Sequence, residues 1–134
     1  MSVLVDSNIP MYASGRPHPF KSRCTAFLEA VARQDEEAES DVEVLQEILY
    51  RYSHTQEVAK GFVDFEAFAR VIPRFHPIRL SDMLRAKEVF RAHPGIKPRD
   101  AIHAAIMLER GTTTIISFDQ DFDRIPGIHR VEPS

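Results

Sequence analysis

The chain has 134 residues, of which 43% are hydrophobic, with a single cysteine and a formal net charge of −3. That length suits one compact domain over residues 1–134 with a real core, lone Cys24 excludes an intrachain disulfide, and no apolar run approaches the ~18 residues that span a bilayer. The chain runs straight into Val3-Leu4-Val5 without a basic region and a long apolar stretch, so a cytoplasmic protein with no membrane contact is expected.

Val3-Leu4-Val5 is a short β-branched apolar run that predicts a buried strand, and Asp6-Ser7-Asn8 after it predicts a loop. Phe20, Cys24, Phe27, Leu28 and Val31 recur at helical spacing and predict a helix over 20–33, ended by the acidic stretch from Asp35 to Glu39. Ser40-Asp41-Val42-Glu43 has the capping-box pattern, with Ser40 as the cap of a helix whose apolar stripe is Leu45, Ile48, Leu49 and Tyr52. A further helix runs through Val58, Phe62, Phe65, Ala69 and Ile72 to Pro73, where the missing amide hydrogen ends it. Phe75 to Leu80 predicts a short strand, with Pro77 at an edge or at its first residue.

Ser81 is placed to cap a helix reaching His93, which Pro94-Gly95 stops. Pro98 suits the first turn of the next helix, which is apolar nearly all round from Ala101 to Leu108, hence central, and ends at Gly111. Thr112 to Ser117 predicts a buried strand and His129-Arg130-Val131 a last short one. Strands separated by helices predict an α/β chain in which a mostly parallel sheet is covered on both faces.

Charge is segregated along the chain. Residues 1–69 carry a net −6, residues 70–99 a net +6 and residues 100–134 a net −3. The basic segment, including Arg85, Arg91, Lys97 and Arg99, suits a surface that tracks nucleic-acid phosphates; it reads equally as helices with solvated faces.

Four acidic motifs are spread along the chain: Val5-Asp6-Ser7-Asn8, Leu45-Gln46-Glu47, Arg99-Asp100-Ala101-Ile102-His103 and Ser117-Phe118-Asp119-Gln120-Asp121-Phe122. Asp6 and Asp119 fall just past the carboxyl ends of predicted strands, the edge at which open α/β sheets bind ligands. Asp100 falls in a first helical turn, where the helix dipole stabilises negative charge. Gathered acids repel, and an all-oxygen cluster is suited to Mg²⁺ or Mn²⁺. Each has a plainer reading taken alone: Asp6 starting a turn, Glu47 pairing with Arg51 at i+4, Asp100 as a first-turn acid, and His103 as a polar group inside the helix packing. An EF-hand from Asp119 fails because its sixth and twelfth positions are Arg124 and Arg130. Aspartate-nucleophile phosphatase chemistry fails because too little chain follows Asp123, and Cys24 and the histidines lack zinc-ligand spacing.

In these four motifs, in this order over essentially the whole chain, the sequence resembles the PIN-domain nucleases, and among them the VapC-type toxins of toxin–antitoxin modules. Ser7 and Ser117 stand where Thr is common in that family, which removes no carboxylate. The resemblance implies a three-layer α/β/α sandwich and a Mg²⁺-dependent endoribonuclease, Mn²⁺ being a possible substitute, whose products carry 5′-phosphate and 3′-hydroxyl ends. It implies Asp6, Glu47, Asp100 and Asp119 as metal-binding catalytic acids, with Asn8, Ser117 and Asp121 in support. It further implies an RNA substrate, a homodimer and inhibition by a cognate antitoxin. Tyr12, Phe20, Tyr50 and Phe62 are candidates for the apolar part of either protein interface. The alternatives are a non-catalytic PIN-like module that binds RNA or protein, and a DNA or flap nuclease.

Overall fold

The computed structural model describes residues 2–134. Its elements are β1 (Val3–Val5), α1 (Asn8–Ser14), α2 (Lys21–Ala32), β2 (Ala38–Asp41), α3 (Val42–Ser53), α4 (Val58–Val71) and β3 (Phe75–His76). There follow α5 (Leu80–Ala92), α6 (Pro98–Arg110), β4 (Thr114–Ile116), a 3-10 turn (Gln120–Arg124) and β5 (His129–Val131). The sheet order is β3-β2-β1-β4-β5 and every pairing is parallel. Parallel neighbours need crossovers, and the helices that supply them cover both faces.

Alternation along each strand divides the core. Leu4 and Ile115 face the α5/α6 layer with Ala104, Ile106 and Met107, while Val5 and Ile116 face the α1–α4 layer with Ile9, Val44, Ile48 and Phe68. Each of these side chains other than Ala104, withdrawn from water, contributes roughly 1.5–3 kcal/mol. Helix α6 is central as expected, with Ala101 and the run from His103 to Met107 buried. It stops at Gly111, whose φ of 75° lies in the left-handed region that a side chain would strain.

Several local expectations are corrected. Asp6-Ser7-Asn8 leads directly into helix α1, too short at seven residues to display a period. The acidic stretch does not simply end α2, because Ala38–Asp41 forms the buried strand β2. Its polar side chains survive burial because they are partnered: Thr112 Oγ1 donates to Glu39 Oε1 at 2.6 Å and Ser40 Oγ donates to Val5 O at 2.8 Å, while His76 Nε2 lies 3.2 Å from Glu39 Oε1 without hydrogen-bond geometry. Ser40 is therefore not the cap of α3; Asp41 is, its Oδ1 accepting from Val44 N at 3.1 Å. Leu49 is exposed, and the buried face of α3 is Val44, Glu47 and Ile48. Strand β3 is only two residues long, and α5 starts one residue before Ser81, at Leu80, with Asp82 Oδ2 accepting from Arg79 N at 2.8 Å.

Candidate active site

The strand order runs outward in one direction from β1 through β2 to β3, and in the other from β4 to β5, so β1 and β4 flank the switch point of the sheet. In open α/β sheets the crevice at the carboxyl ends of such a strand pair is where ligands bind. Here Asp6 follows β1 and Asp119 follows β4 by three residues, Asp100 sits in the first turn of α6, and Glu47 lies in the second turn of α3. These four acids line one cleft of about 290 Å³ together with Asn8, Tyr50, Arg51, Lys97 and Arg99.

Asp6 is held on three sides. Ser7 N donates to its Oδ1 at 2.7 Å, while Ser117 Oγ at 2.6 Å and Asn8 Nδ2 at 3.3 Å donate to Oδ2. Ser117 Oγ also accepts from Asn8 Nδ2 at 3.2 Å and from Asp119 N at 3.0 Å. Burial raises the Asp6 pKa above the usual carboxylate range against the opposing pull of His103, and nearby Glu47 adds to the rise.

Glu47 does not pair with Arg51. Its Oε1 lies 2.7 Å from Nε2 of His103, and the other ring nitrogen, Nδ1, lies 2.7 Å from Asp41 Oδ2. His103 is fully buried. Burial works against its charged form, but the Asp41 and Glu47 carboxylates outweigh that, and the imidazole pKa is held well above its ordinary value. With both ring nitrogens engaged, His103 has no lone pair to offer a cation. It is a link between carboxylates, with Asp6 Oδ1 3.7 Å from Nε2.

Asp100 and Asp119 form a second group with Asp121, their ligand atoms lying within 4.8 Å of one another. Burial, the hydrogen bond with Asp119 and the charge of Asp6 push the Asp100 pKa up to about 8. Burial opposes ionisation of Asp119 as well. The hydrogen bond from Asp100, Asp121 N at 3.0 Å from Oδ1, and the nearby Lys97 cation nevertheless hold Asp119 below the usual range. The neighbouring carboxyls thus push each other apart, Asp100 toward its protonated form and Asp119 toward its ionised one. Asp100 Oδ2 is buried and, among the described residues, has no hydrogen-bond partner. An unsatisfied buried carboxylate oxygen is costly, and a hard cation is the kind of ligand that would satisfy it.

The basic segment divides. Lys97 and Arg99 line the cleft, and Lys97 Nζ lies 3.9 Å from Asp119 Oδ2. Arg85 and Arg91 lie on α5, which contributes nothing to the cleft lining, and face Glu109 at 3.0 Å and Glu88 at 3.7 Å. Reading the sequence missed the role of Asp41, taken there as part of a helix cap, and left His103 without an assignment. The available signal was the i, i+3 spacing of Asp100 and His103, which puts both on one face of α6.

A family model described as PIN domain matches residues 3–128. Ribonuclease VapC13 of Mycobacterium tuberculosis is 37% identical over 129 residues, an alignment that covers 96% of this chain and 98% of the relative. Ribonuclease VapC23 of the same organism is 31% identical, with 87% and 92% covered. Among solved structures, M. tuberculosis VapC20, described as a Sarcin-Ricin loop cleaving toxin, superposes with a TM-score of 0.78 at 16% identity, covering 98% of this chain and 99% of that one. VapBC2 from Rickettsia felis, bound to a DNA fragment from its promoter, gives 0.76 at 18% identity with 98% of each chain covered.

Proposed function

Because the chain belongs to the PIN-domain family, we propose that it is a Mg²⁺-dependent endoribonuclease of the VapC toxin type, restrained by a cognate antitoxin. The observation that carries the metal dependence is the buried, unpartnered Asp100 Oδ2 in a cleft with three other carboxylates. The donor set is all oxygen, which matches Mg²⁺ or Mn²⁺ rather than zinc. Asp6, Glu47, Asp100 and Asp119 would hold the ion, and Asp121 stands beside the last two. When bound, such an ion lowers the pKa of a water for attack on phosphorus and offsets charge on the phosphate and the leaving oxygen.

The protein's own part is orientation. Ser7, Asn8 and Ser117 fix the plane of the Asp6 carboxylate, His103 occupies one oxygen of Glu47, and Asp121 N holds Asp119. Each carboxylate is thereby limited in which oxygen it can present, the pre-organisation a metal site requires. Lys97 and Arg99, at the rim, are placed to meet the RNA backbone.

The test is cleavage of RNA and of DNA of matched sequence, with Mg²⁺, with Mn²⁺ and after chelation. Metal-dependent cleavage confined to RNA, abolished by Asp6→Asn and by Asp100→Asn in folded protein, is the expected result. Wild-type rates from Asp100→Asn would refute the site, and cleavage of DNA alone would refute the substrate class.

A further inference from the structure

Beside the acidic cleft lies a larger one of about 510 Å³, lined in part by Tyr12, Arg16, His18, Arg51, Tyr52 and Lys60. The two clefts share Asn8, Met11 and Arg51. A strand whose phosphate sits at the acids therefore has this second cleft as its immediate neighbour. The charge there is of opposite sign, because Glu57 is the only acid among the lining residues.

Its two arginines are unengaged. Among the described residues, neither Arg16 nor Arg51 makes a hydrogen bond or an ion pair. Arg33, Arg85, Arg110 and Arg130, in contrast, are each held by a carboxylate. Lys60 has a building role, since its Nζ donates to Ser14 O, to the Tyr52 hydroxyl and to Asp64. The cleft also presents an aromatic ring, His18, backed by Tyr12. The rings of Tyr12 and His18 lie 4.5 Å apart between centroids, tilted by 33°. His18 is exposed, but its ring is held in place, with Nδ1 accepting from Phe20 N at 3.1 Å and prolines at 17 and 19 restricting the backbone on either side.

Free guanidiniums beside an exposed ring are the pairing that single-stranded nucleic acid binding uses, cations for phosphates and rings for bases. We propose that this second cleft holds the single-stranded RNA segment flanking the scissile phosphate, with Arg16 and Arg51 on backbone phosphates and the exposed His18 ring, backed by Tyr12, under a base. The identity of the strand rests on the nuclease reading above; the binding step does not require cleavage.

The experiment is fluorescence anisotropy with a labelled single-stranded RNA of about twelve nucleotides, without divalent cation, over roughly 50–200 mM salt. Losing two phosphate contacts in Arg16→Ala/Arg51→Ala flattens the log–log salt slope by roughly 1.4, at about 0.7 per contact. His18→Ala weakens binding by about tenfold through lost stacking. Because both arginines lack partners among the described residues, the thermal midpoint of the double variant stays at the wild-type value, which separates lost binding from lost folding. Affinity and slope unchanged in the double variant overturn the proposal, as does a wild-type protein that does not bind the RNA; a loss confined to binding of a co-expressed antitoxin assigns the cleft to that partner instead. If wild-type protein binds through these residues but cleaves nothing with Mg²⁺ or Mn²⁺, the nuclease reading falls and the cleft stands. If it cleaves and the double variant binds normally, the reverse holds.

Discussion

The hydroxyl of Ser117 has one proton and two lone pairs, and all three are used: it donates to Asp6 and accepts from Asn8 Nδ2 and Asp119 N. It ties the end of β4 to the end of β1 at the point where the acids meet. Ser117→Ala is expected to lower Mn²⁺ affinity and RNA cleavage by roughly 10–100-fold, and Ser117→Thr, which keeps the hydroxyl, to restore both; an unchanged Mn²⁺ isotherm in the alanine variant would contradict this. His103 raises a different question, because it is buried between Asp41 and Glu47. His103→Ala leaves two buried carboxylates facing a void, and urea denaturation should show a loss of about 3–5 kcal/mol in the metal-free protein. The four acids were candidates in the sequence because the order of their motifs resembles that of the PIN-domain nucleases; local pattern alone gave each a plainer reading. The Asp41–His103–Glu47 link was not, because partners 62 and 56 residues apart meet only through the packing of α6 on the sheet.

At the scale of elements, the contact between α5 and α6 is fastened by a buried acid. Asp82 accepts from Arg110 through both oxygens, at 2.8 and 2.9 Å, and from Arg79 N. The Arg110 guanidinium beside it holds its carboxyl below the ordinary value of 3.8. A carboxyl whose folded pKa is depressed stabilises the fold above the unfolded pKa, and that contribution is lost as pH falls through the folded value. Acid unfolding of the wild type below about pH 4 should therefore be steeper than that of Asp82→Asn. At neutral pH the variant should be less stable by about 3 kcal/mol, since Arg110 loses its charge partner; coincident acid transitions would refute the assignment. The α3–α4 hairpin depends on close approach instead. A Cβ at Gly61 would lie 2.6 Å from the Tyr52 side chain, so Gly61→Ala should cost about 1–3 kcal/mol through overpacking, measured by thermal melting. Helices from α2 to α6 were readable from period and punctuation. Strand β2 was not, because Ala-Glu-Ser-Asp has no apolar pattern, and its burial rests on Thr112, His76 and His103, all distant in sequence.

For the molecule as a whole, metal-free repulsion and metal-bound cohesion should trade places. Mg²⁺ at about 100 times its dissociation constant would add about 2.7 kcal/mol by mass action, raising the melting midpoint of the wild type but not of Asp100→Asn. The variant, with one acid fewer in a repelling group, should match or exceed the metal-free wild type. An equal Mg²⁺ response in both proteins would show that the ion binds elsewhere. The proposed protein interfaces have exposed apolar surface available: Tyr50 and Phe62 are exposed as interface candidates require, as are Leu80, Leu84 and Phe90 on α5, while Tyr12 and Phe20 pack in an aromatic cluster with Phe118. Native mass spectrometry should report a homodimer, and co-expression with the antitoxin should suppress RNA cleavage. A monomer, active whether or not that partner is present, would remove the toxin–antitoxin part of the reading and leave the nuclease part intact. The alternation of strands and helices and the helix ends at Pro98 and Gly111 were legible in the chain alone, because period, capping and turn chemistry are local properties, whereas the four acids were candidates there and owed their assignment as a set to the resemblance to the PIN-domain nucleases. Which oxygens those acids present, that Asp100 keeps one buried and unpartnered, that Asp41 and His103 hold Glu47, and that Arg16 and Arg51 open onto a cleft beside them were decided only by the tertiary structure, because burial and charge pairing depend on which distant residues the parallel sheet brings to its carboxyl edge.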